Sequence, residues 1–121
     1  MVIATPAGNA TVTVEVADTK AVIDRGLMDR RALGADAGML FFMNKERDWS
    51  FWMHDTLIPL DIVFITKDLH VAGIARDTKP QTETSIRVGA TSFYVLEVNA
   101  GWSAAHHVEA GQRVQLENIK P

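Results

Sequence analysis

The stretch FWMHDTLIPLDIVFI, residues 51–65, decides the fold of this chain. Its second half, Leu60–Ile65, is apolar at every position except Asp61, and a short apolar run rich in β-branched residues predicts a buried strand. Pro59 has no amide to donate, so sheet pairing must be interrupted just before this strand begins. We therefore expect a core strand that the chain enters through a polar turn at His54–Thr56.

Further short strands are predicted on both sides of this one. Thr11–Val16 alternates valines with polar residues, which is the period of a half-buried strand. Lys67-Asp68 forms a plausible tight connection after the central strand, which favours a hairpin. In the segment 93–98, Glu97 shares a face with apolar neighbours. The predicted strands are 11–16, 39–43, 60–65, 69–74, 93–98 and 114–119.

Two short helices are predicted. Asp18 or Thr19 can cap the first, which Gly26 would end, and Ser103 can cap a second over Ala104–Val108. The polar segment 44–48 is expected to be an exposed loop. The segment 77–90 lacks an apolar period, and loops of that length are usually functional. These elements predict a mainly β fold, a compact sandwich or partly closed barrel with one or two short helices.

Length and composition limit the function classes. The 121 residues predict a single globular β domain over 11–119, preceded by a flexible tail at 1–10. A net charge of −3 with scattered Lys and Arg gives no sign of nucleic-acid binding. The absence of Cys excludes disulfides and thiol chemistry. No apolar run approaches the roughly 18 residues of a membrane span, and the first residues lack the basic and apolar regions of a secretion signal.

Four segments carry a resemblance to a known family. They are Arg25-Gly26-Leu27-Met28 with Arg30 and Leu33, Gly38-Met39-Leu40-Phe41, Phe51-Trp52-Met53 through Pro59-Leu60-Asp61-Ile62, and Val95-Leu96-Glu97-Val98 leading to Ala100-Gly101. In identity, order and spacing they resemble the prokaryotic family called domain of unknown function 192, from about Thr11 to Ile119. The resemblance implies a compact, mainly β domain without an established activity. It also implies a periplasmic or secreted location, because such domains often follow an export signal or lipoprotein anchor.

Two positions depart from the pattern of that family. Asp55 stands where the family typically has Asn, and Gln112 follows Gly111 where an Asp is usual. The first departure puts in doubt any role that needs a neutral amide at position 55.

Asp61 carries the sharpest chemical signal in the sequence. A carboxylate between Leu60 and Ile62 must either reach solvent in a cleft or be held by donors inside the protein, because an unpaired buried charge is too costly. In the first case it would be a general base or a ligand acceptor. In the second, which we favour, it is a structural carboxylate that ties the turn near Pro59 or pairs with Arg25.

His54 is a weaker candidate for acid–base chemistry. If its segment is extended, His54 and Asp55 point to opposite faces and cannot pair with each other. His54 could approach Asp61 or Glu97 only through the fold. An imidazole with ordinary surface or core contacts is therefore favoured over a catalytic one.

A cluster of aromatic and thioether side chains raises the question of a metal. Methionines with an imidazole can bind Cu(I), but Met is also a common filler of irregular core gaps. We favour core packing, and we predict no metal and no cofactor. His106-His107 lacks a companion at metal-ligand spacing.

Three functional hypotheses remain. The first is a non-enzymatic module that binds a small or extended ligand in a groove around residues 51–61. The second is a small enzyme with Asp61 or His54 as general base and Arg25 as anion holder. The third is a structural or protein-interaction module. The sequence predicts no particular ligand and no oligomeric state. The candidate ligand-binding residues are Arg25, Met28, Trp52, Met53, His54, Asp55, Thr56, Asp61 and Glu97.

Overall fold

Across the part of the chain that the structure describes, the fold is mainly β, with two sheets, two short helices and no closed barrel, which confirms the predicted class. A computed structural model of the protein describes residues 1–119. Its elements are β1 Val2–Thr5, β2 Gly8–Thr11, β3 Thr13–Ala17, α1 Lys20–Arg25, β4 Ala37–Arg47, β5 Leu60–Ile65, β6 Val71–Ala75, β7 Ser92–Asn99, α2 Trp102–Ala105 and β8 Val114–Gln115. Within residues 1–119, no helix combines the length and apolarity that crossing a bilayer requires.

The larger sheet has five strands in the order β3-β4-β7-β5-β6. Strand β5 lies between β7 and β6, and every one of its residues is buried. The predicted hairpin of β5 with β6 is present, and both pairings of β5 are antiparallel. Strands β3 and β4 run parallel, so the chain must cross over between them, and it does so through α1.

The smaller sheet, in the order β2-β1-β8, corrects the prediction of a flexible tail at residues 1–10. Val2–Thr5 pairs with Gly8–Thr11 as a hairpin, and Ile3 also pairs with Val114. Met1, Val2 and Ile3 are buried, and Ile3 is fully enclosed. The apolar residues at the start of the chain therefore form one wall of the core.

Apolar residues pack against both faces of the five-stranded sheet. The inter-sheet core lies between the two sheets and includes Ile3, Val63 and Leu96. The helix-side core lies on the opposite face, under α1 and the loops, and includes Phe41 and Val95. Because side chains alternate along a strand, the apolar residues of β5, and those of β7 from Tyr94 to Val98, belong in turn to one core and the other.

This alternation separates two acidic residues that look equivalent in the sequence. Asp61 has the parity of Val63 on β5 and faces the inter-sheet core, whereas Glu97 has the parity of Val95 on β7 and faces the helix side. Their strands are neighbours, with Ile62 opposite Glu97. The two carboxyl groups therefore cannot converge on one site.

The first predicted helix is confirmed. Thr19 caps α1 by accepting a hydrogen bond from the Val22 amide at 3.3 Å, and Gly26 ends the helix with φ 51°. The second predicted helix is also present as α2, but the predicted N-cap was wrong. Gly101 precedes α2, and Ser103 lies inside it.

Three predicted boundaries also differ. The first predicted strand, 11–16, is divided between β2 and β3, and the last, 114–119, shortens to β8. Residues 44–47 are exposed, as predicted, but they extend β4 instead of forming a loop. Asn44 has φ 61°, and the register with β7 shifts between Phe42 and Arg47, so polar residues continue the strand past a bulge.

Gly38 allows the closest approach within the sheet. A Cβ atom added there would lie 2.6 Å from the carbonyl oxygen of Glu97 and 3.0 Å from Cγ1 of Val98. Any side chain would push β4 away from β7. Glycine at this position therefore fixes the placement of Glu97 relative to β4.

Candidate functional site

A cavity of about 460 Å³ opens on the helix side of the five-stranded sheet. Pockets of this size fall in the range that holds small molecules. Its lining comes from the end of α1, from β4 and β7, and from the segments around residues 50 and 85. The lining residues are Ile23, Asp24, Arg25, Gly26, Met28, Phe41, Met43, Trp49, Ser50, Phe51, Trp52, Ser85 and Glu97.

Aromatic rings with fixed orientations form much of the wall. Phe51 packs edge to face on Phe41, with ring centroids 5.2 Å apart, and on Phe64 at 6.1 Å. Trp49 donates its indole N–H to the Lys45 carbonyl at 2.9 Å, and the guanidinium of Arg47 lies 5.3 Å from its ring centroid. These contacts hold the rings in place without a ligand.

Backbone hydrogen bonds join the wall to the long loop 77–90. Phe51 and Ile86 exchange a pair of bonds, 2.9 Å from the Phe51 amide and 2.7 Å from the Ile86 amide. The Met53 amide donates to the Thr82 carbonyl at 3.0 Å. This connection places Ser85 at the mouth of the cavity.

Glu97 supplies the buried acid of the cavity. Its side chain is only 5% exposed, and burial raises its pKa to about 8. Within residues 1–119 no hydrogen bond or ion pair engages its carboxyl group. A Cβ atom added to Gly26 would lie 3.7 Å from Oε1 of Glu97, so glycine at the end of α1 leaves room beside the acid. At neutral pH the group is a protonated acid that lacks a protein partner.

The two charged side chains at the rim have partners. Arg25 lies 3.3 Å from Asp29, and Asp24 lies 2.6 Å from Lys20, both as exposed pairs one turn apart. Arg25 therefore does not pair with Asp61, which was one of the two structural interpretations.

Asp61 is a structural carboxylate. It is 1% exposed and accepts hydrogen bonds from the Asp77 amide at 2.9 Å, the Ser103 amide at 3.0 Å and the Ser103 hydroxyl at 2.6 Å. These bonds tie β5 to the start of α2 and to the segment that follows β6. With its oxygens engaged in a sealed interior, Asp61 has no access to a substrate.

His54 lies outside the cavity lining. Its ring stacks on Trp52 with centroids 4.6 Å apart, and its Nδ1 lies 3.2 Å from the carboxylate of Glu83. Its Nε2 is 3.2 Å from Asp55, so the prediction that these neighbours cannot pair was wrong. The segment is a turn instead of a strand, since Asp55 has φ 51°.

The conformation of Asp55 also explains one departure from the family pattern. Asn and Asp are the residues other than Gly that most readily adopt positive φ. An Asp can therefore replace an Asn here and keep the turn.

Met53 and Thr56 build the turn and the core beneath it. Met53 is fully buried, with its sulfur 3.2 Å from the Thr78 hydroxyl, and Thr56 donates to the His54 carbonyl at 3.2 Å. Neither side chain lines the cavity.

The structure thus brings together four of the nine predicted residues. Arg25, Met28, Trp52 and Glu97 line the cavity, and Met53, His54, Asp55, Thr56 and Asp61 do not. The candidate ligand-binding residues predicted from the sequence did not include those of β4 or Trp49, Ser50, Phe51 and Ser85. The one signal for this location was Glu97 among apolar neighbours. Among residues 1–119, no group of three or more His, Asp or Glu side chains could hold a metal ion.

The overall structure resembles two crystal structures of bacterial proteins. One is a protein of unknown function from Novosphingobium aromaticivorans, 35% identical, with a TM-score of 0.91, over 95% of this chain and 82% of that chain. The other, from Sinorhizobium meliloti, is provisionally described as a transcription regulator. It is 35% identical, with a TM-score of 0.89, over 94% of this chain and 89% of that one. A comparison with curated proteins found no match.

A family model gives the same relationship over nearly the whole length. The model for domain of unknown function 192, described as "Uncharacterized ACR", matches residues 2–116. This range includes β1 and β2, and it extends as far as the segment just after β8. The chain belongs to the DUF192 family.

Proposed function

We propose that the protein is a small-molecule binding module and that the cavity beside Glu97 is its binding site. The observation that carries this proposal is a buried carboxyl group that faces an open cavity and has no partner among residues 1–119. Partial removal of a carboxyl group from water costs free energy unless a hydrogen bond replaces the lost hydration. A ligand that bonds to Glu97 would recover that cost.

The walls support the proposal because they offer apolar contact in a fixed geometry. Phe41, Phe51 and Trp49 are oriented by packing and hydrogen bonds, so a ligand would not have to order them. Ser50 and Ser85 add hydroxyl groups at the rim. Oriented rings with a few polar groups are typical of small-molecule sites.

The competing hypotheses have less support. The enzyme hypothesis needs Asp61 or His54 near Arg25, but Asp61 is sealed on the opposite face of the sheet and His54 lies outside the cavity. The structural-module hypothesis gives no reason for an unpartnered acid in a cavity.

A fragment screen by NMR tests the proposal. We expect bound fragments to shift the indole resonances of Trp49 and Trp52, which line the cavity, and to leave that of Trp102 unchanged. Ser85→Trp should weaken these fragments at least tenfold, because the exposed Ser85 lies at the mouth and a large side chain there would block entry.

Thr84→Trp is the matched control, since Thr84 is an exposed neighbour that does not line the cavity. It should leave affinity unchanged. A screen without hits, or hits that bind Ser85→Trp as well as the unaltered protein, would contradict the proposal.

We also propose that the protein acts outside the cytoplasm. The support is the resemblance to a family whose domains often follow an export signal or lipoprotein anchor. Fractionation of cells that express the natural gene should place the protein in the periplasm or the medium. Recovery in the cytosolic fraction alone would rule the location out.

A further inference from the structure

We propose that the ligand carries a positively charged organic ammonium group, which binds between the Glu97 carboxylate and the aromatic wall of the cavity. The inference rests on the proposed binding function and goes further by naming the chemical class of the ligand. It follows from the charges around the cavity and the nature of its walls.

The charges around the cavity favour a cation. On the helix side, Asp24 and Arg25 already have partners in Lys20 and Asp29. Among residues 1–119, no titratable side chain lines the cavity besides Asp24, Arg25 and Glu97. An anionic ligand would share Arg25 with Asp29 and would lie beside the carboxylate of Asp24, whereas a cation would meet an acid that has no partner.

The walls favour the same class of ligand. An ammonium group is attracted to the negative face of an aromatic ring, and cages of such rings are a known way to hold methylated ammonium groups. Phe41, Phe51, Trp49 and Trp52 line the cavity, together with the polarizable thioethers of Met28 and Met43. The guanidinium of Arg47, which does not line the cavity, lies 5.3 Å from the Trp49 ring centroid, so one ring of this wall already contacts a cation.

A neutral ligand explains less of the site. A protonated Glu97 could donate one hydrogen bond to a carbonyl oxygen, but that bond gives no reason for several aromatic rings and two thioethers around it. A cation would interact with both the Glu97 carboxylate and the aromatic rings.

Protonation gives the inference a distinctive signature. With a pKa of about 8, Glu97 is protonated in the free protein at pH 7. Binding of an ammonium group stabilises the carboxylate, so the proton leaves Glu97 for the buffer as the ligand binds. Affinity should therefore rise about tenfold per pH unit below pH 8 and level off above it.

The test compares choline, whose charge does not titrate, with its uncharged isostere 3,3-dimethylbutan-1-ol. Isothermal titration calorimetry from pH 6 to pH 9, in buffers with different ionisation enthalpies, measures both affinity and proton release. We expect choline to bind at least tenfold more tightly than the alcohol at pH 8.5, and to release nearly one proton at pH 7. Glu97→Gln should abolish both the preference and the release, whereas Glu46→Gln, an exposed acid outside the cavity, should keep them.

The outcomes separate this inference from the function on which it rests. Equal binding of choline and the alcohol, choline binding that is independent of pH, or fragment hits without any choline binding would overturn the ammonium class and leave the cavity as a binding site. Failure of choline together with an empty fragment screen would overturn both.

Discussion

Replacement of Asp61 by alanine is expected to lower the free energy of unfolding by about 3–5 kcal/mol. The change removes the acceptor of the Ser103 amide, the Ser103 hydroxyl and the Asp77 amide. A buried donor left without an acceptor costs roughly 1–3 kcal/mol, and the two Ser103 donors lie in a buried position. Urea denaturation followed by circular dichroism measures the loss.

Asp61→Asn provides a second variant in case the alanine protein fails to fold. It keeps the shape and one acceptor oxygen but turns an amide group toward existing donors, so we expect a loss of about 2 kcal/mol. Asp18→Asn is the control, because Asp18 is exposed and makes no side-chain bond among residues 1–119. Stability of Asp61→Ala within 1 kcal/mol of the unaltered protein would show that this carboxylate is not structural.

Glu97→Gln is expected to stabilise the protein at pH 8 by an amount on the order of 3–5 kcal/mol and to change its stability little at pH 4. Burial raises the pKa of Glu97 from 4.5 to about 8. Between these values the folded protein keeps a proton that the unfolded chain has released. Stability therefore falls as pH rises from about 4.5 to 8, and the neutral glutamine escapes this loss.

Urea midpoints of the two proteins at pH 4, 6 and 8 measure the effect. The difference between them should widen with pH, and taking this difference removes the contributions of other titrating groups. The matched control Glu46→Gln, at an exposed position, should show no such widening. A constant difference across the range would mean that the Glu97 carboxyl is solvated in the folded protein.

The secondary structure was largely predictable where local patterns dominate. Apart from Asp61, Leu60–Ile65 is apolar on both faces because β5 lies between β6 and β7 with a core on each side. Thr19 and Gly26 mark the ends of α1 through local hydrogen bonds and positive φ. The secondary-structure predictions failed where tertiary contacts determine the conformation. The apolar residues at the start of the chain, Met1 to Ile3, are too few to predict a strand by themselves, and their hairpin is completed by β8, far along the chain.

The site was less predictable, because Asp61 and Glu97 look alike in the sequence. Each is an acid within an apolar strand, and the environment of its carboxyl group depends on residues far away in the sequence. Asp61 meets Ser103, 42 positions later, whereas Glu97 meets a cavity that the end of α1 and the segment around Phe51 build. Spacing along a single strand contains no information about either environment.

Asp61 and Glu97 lie on opposite faces of one sheet, so the residues around one can change during evolution without disturbing the other. Asp61 joins distant parts of the backbone on one face, and the side chains that surround Glu97 on the other are drawn from α1, β4 and loops. Substitutions at sites without shared partners usually act additively. The residues that line the cavity around Glu97 can therefore diversify, which would change the ligand preference, while the hydrogen bonds from backbone amides to Asp61 are retained.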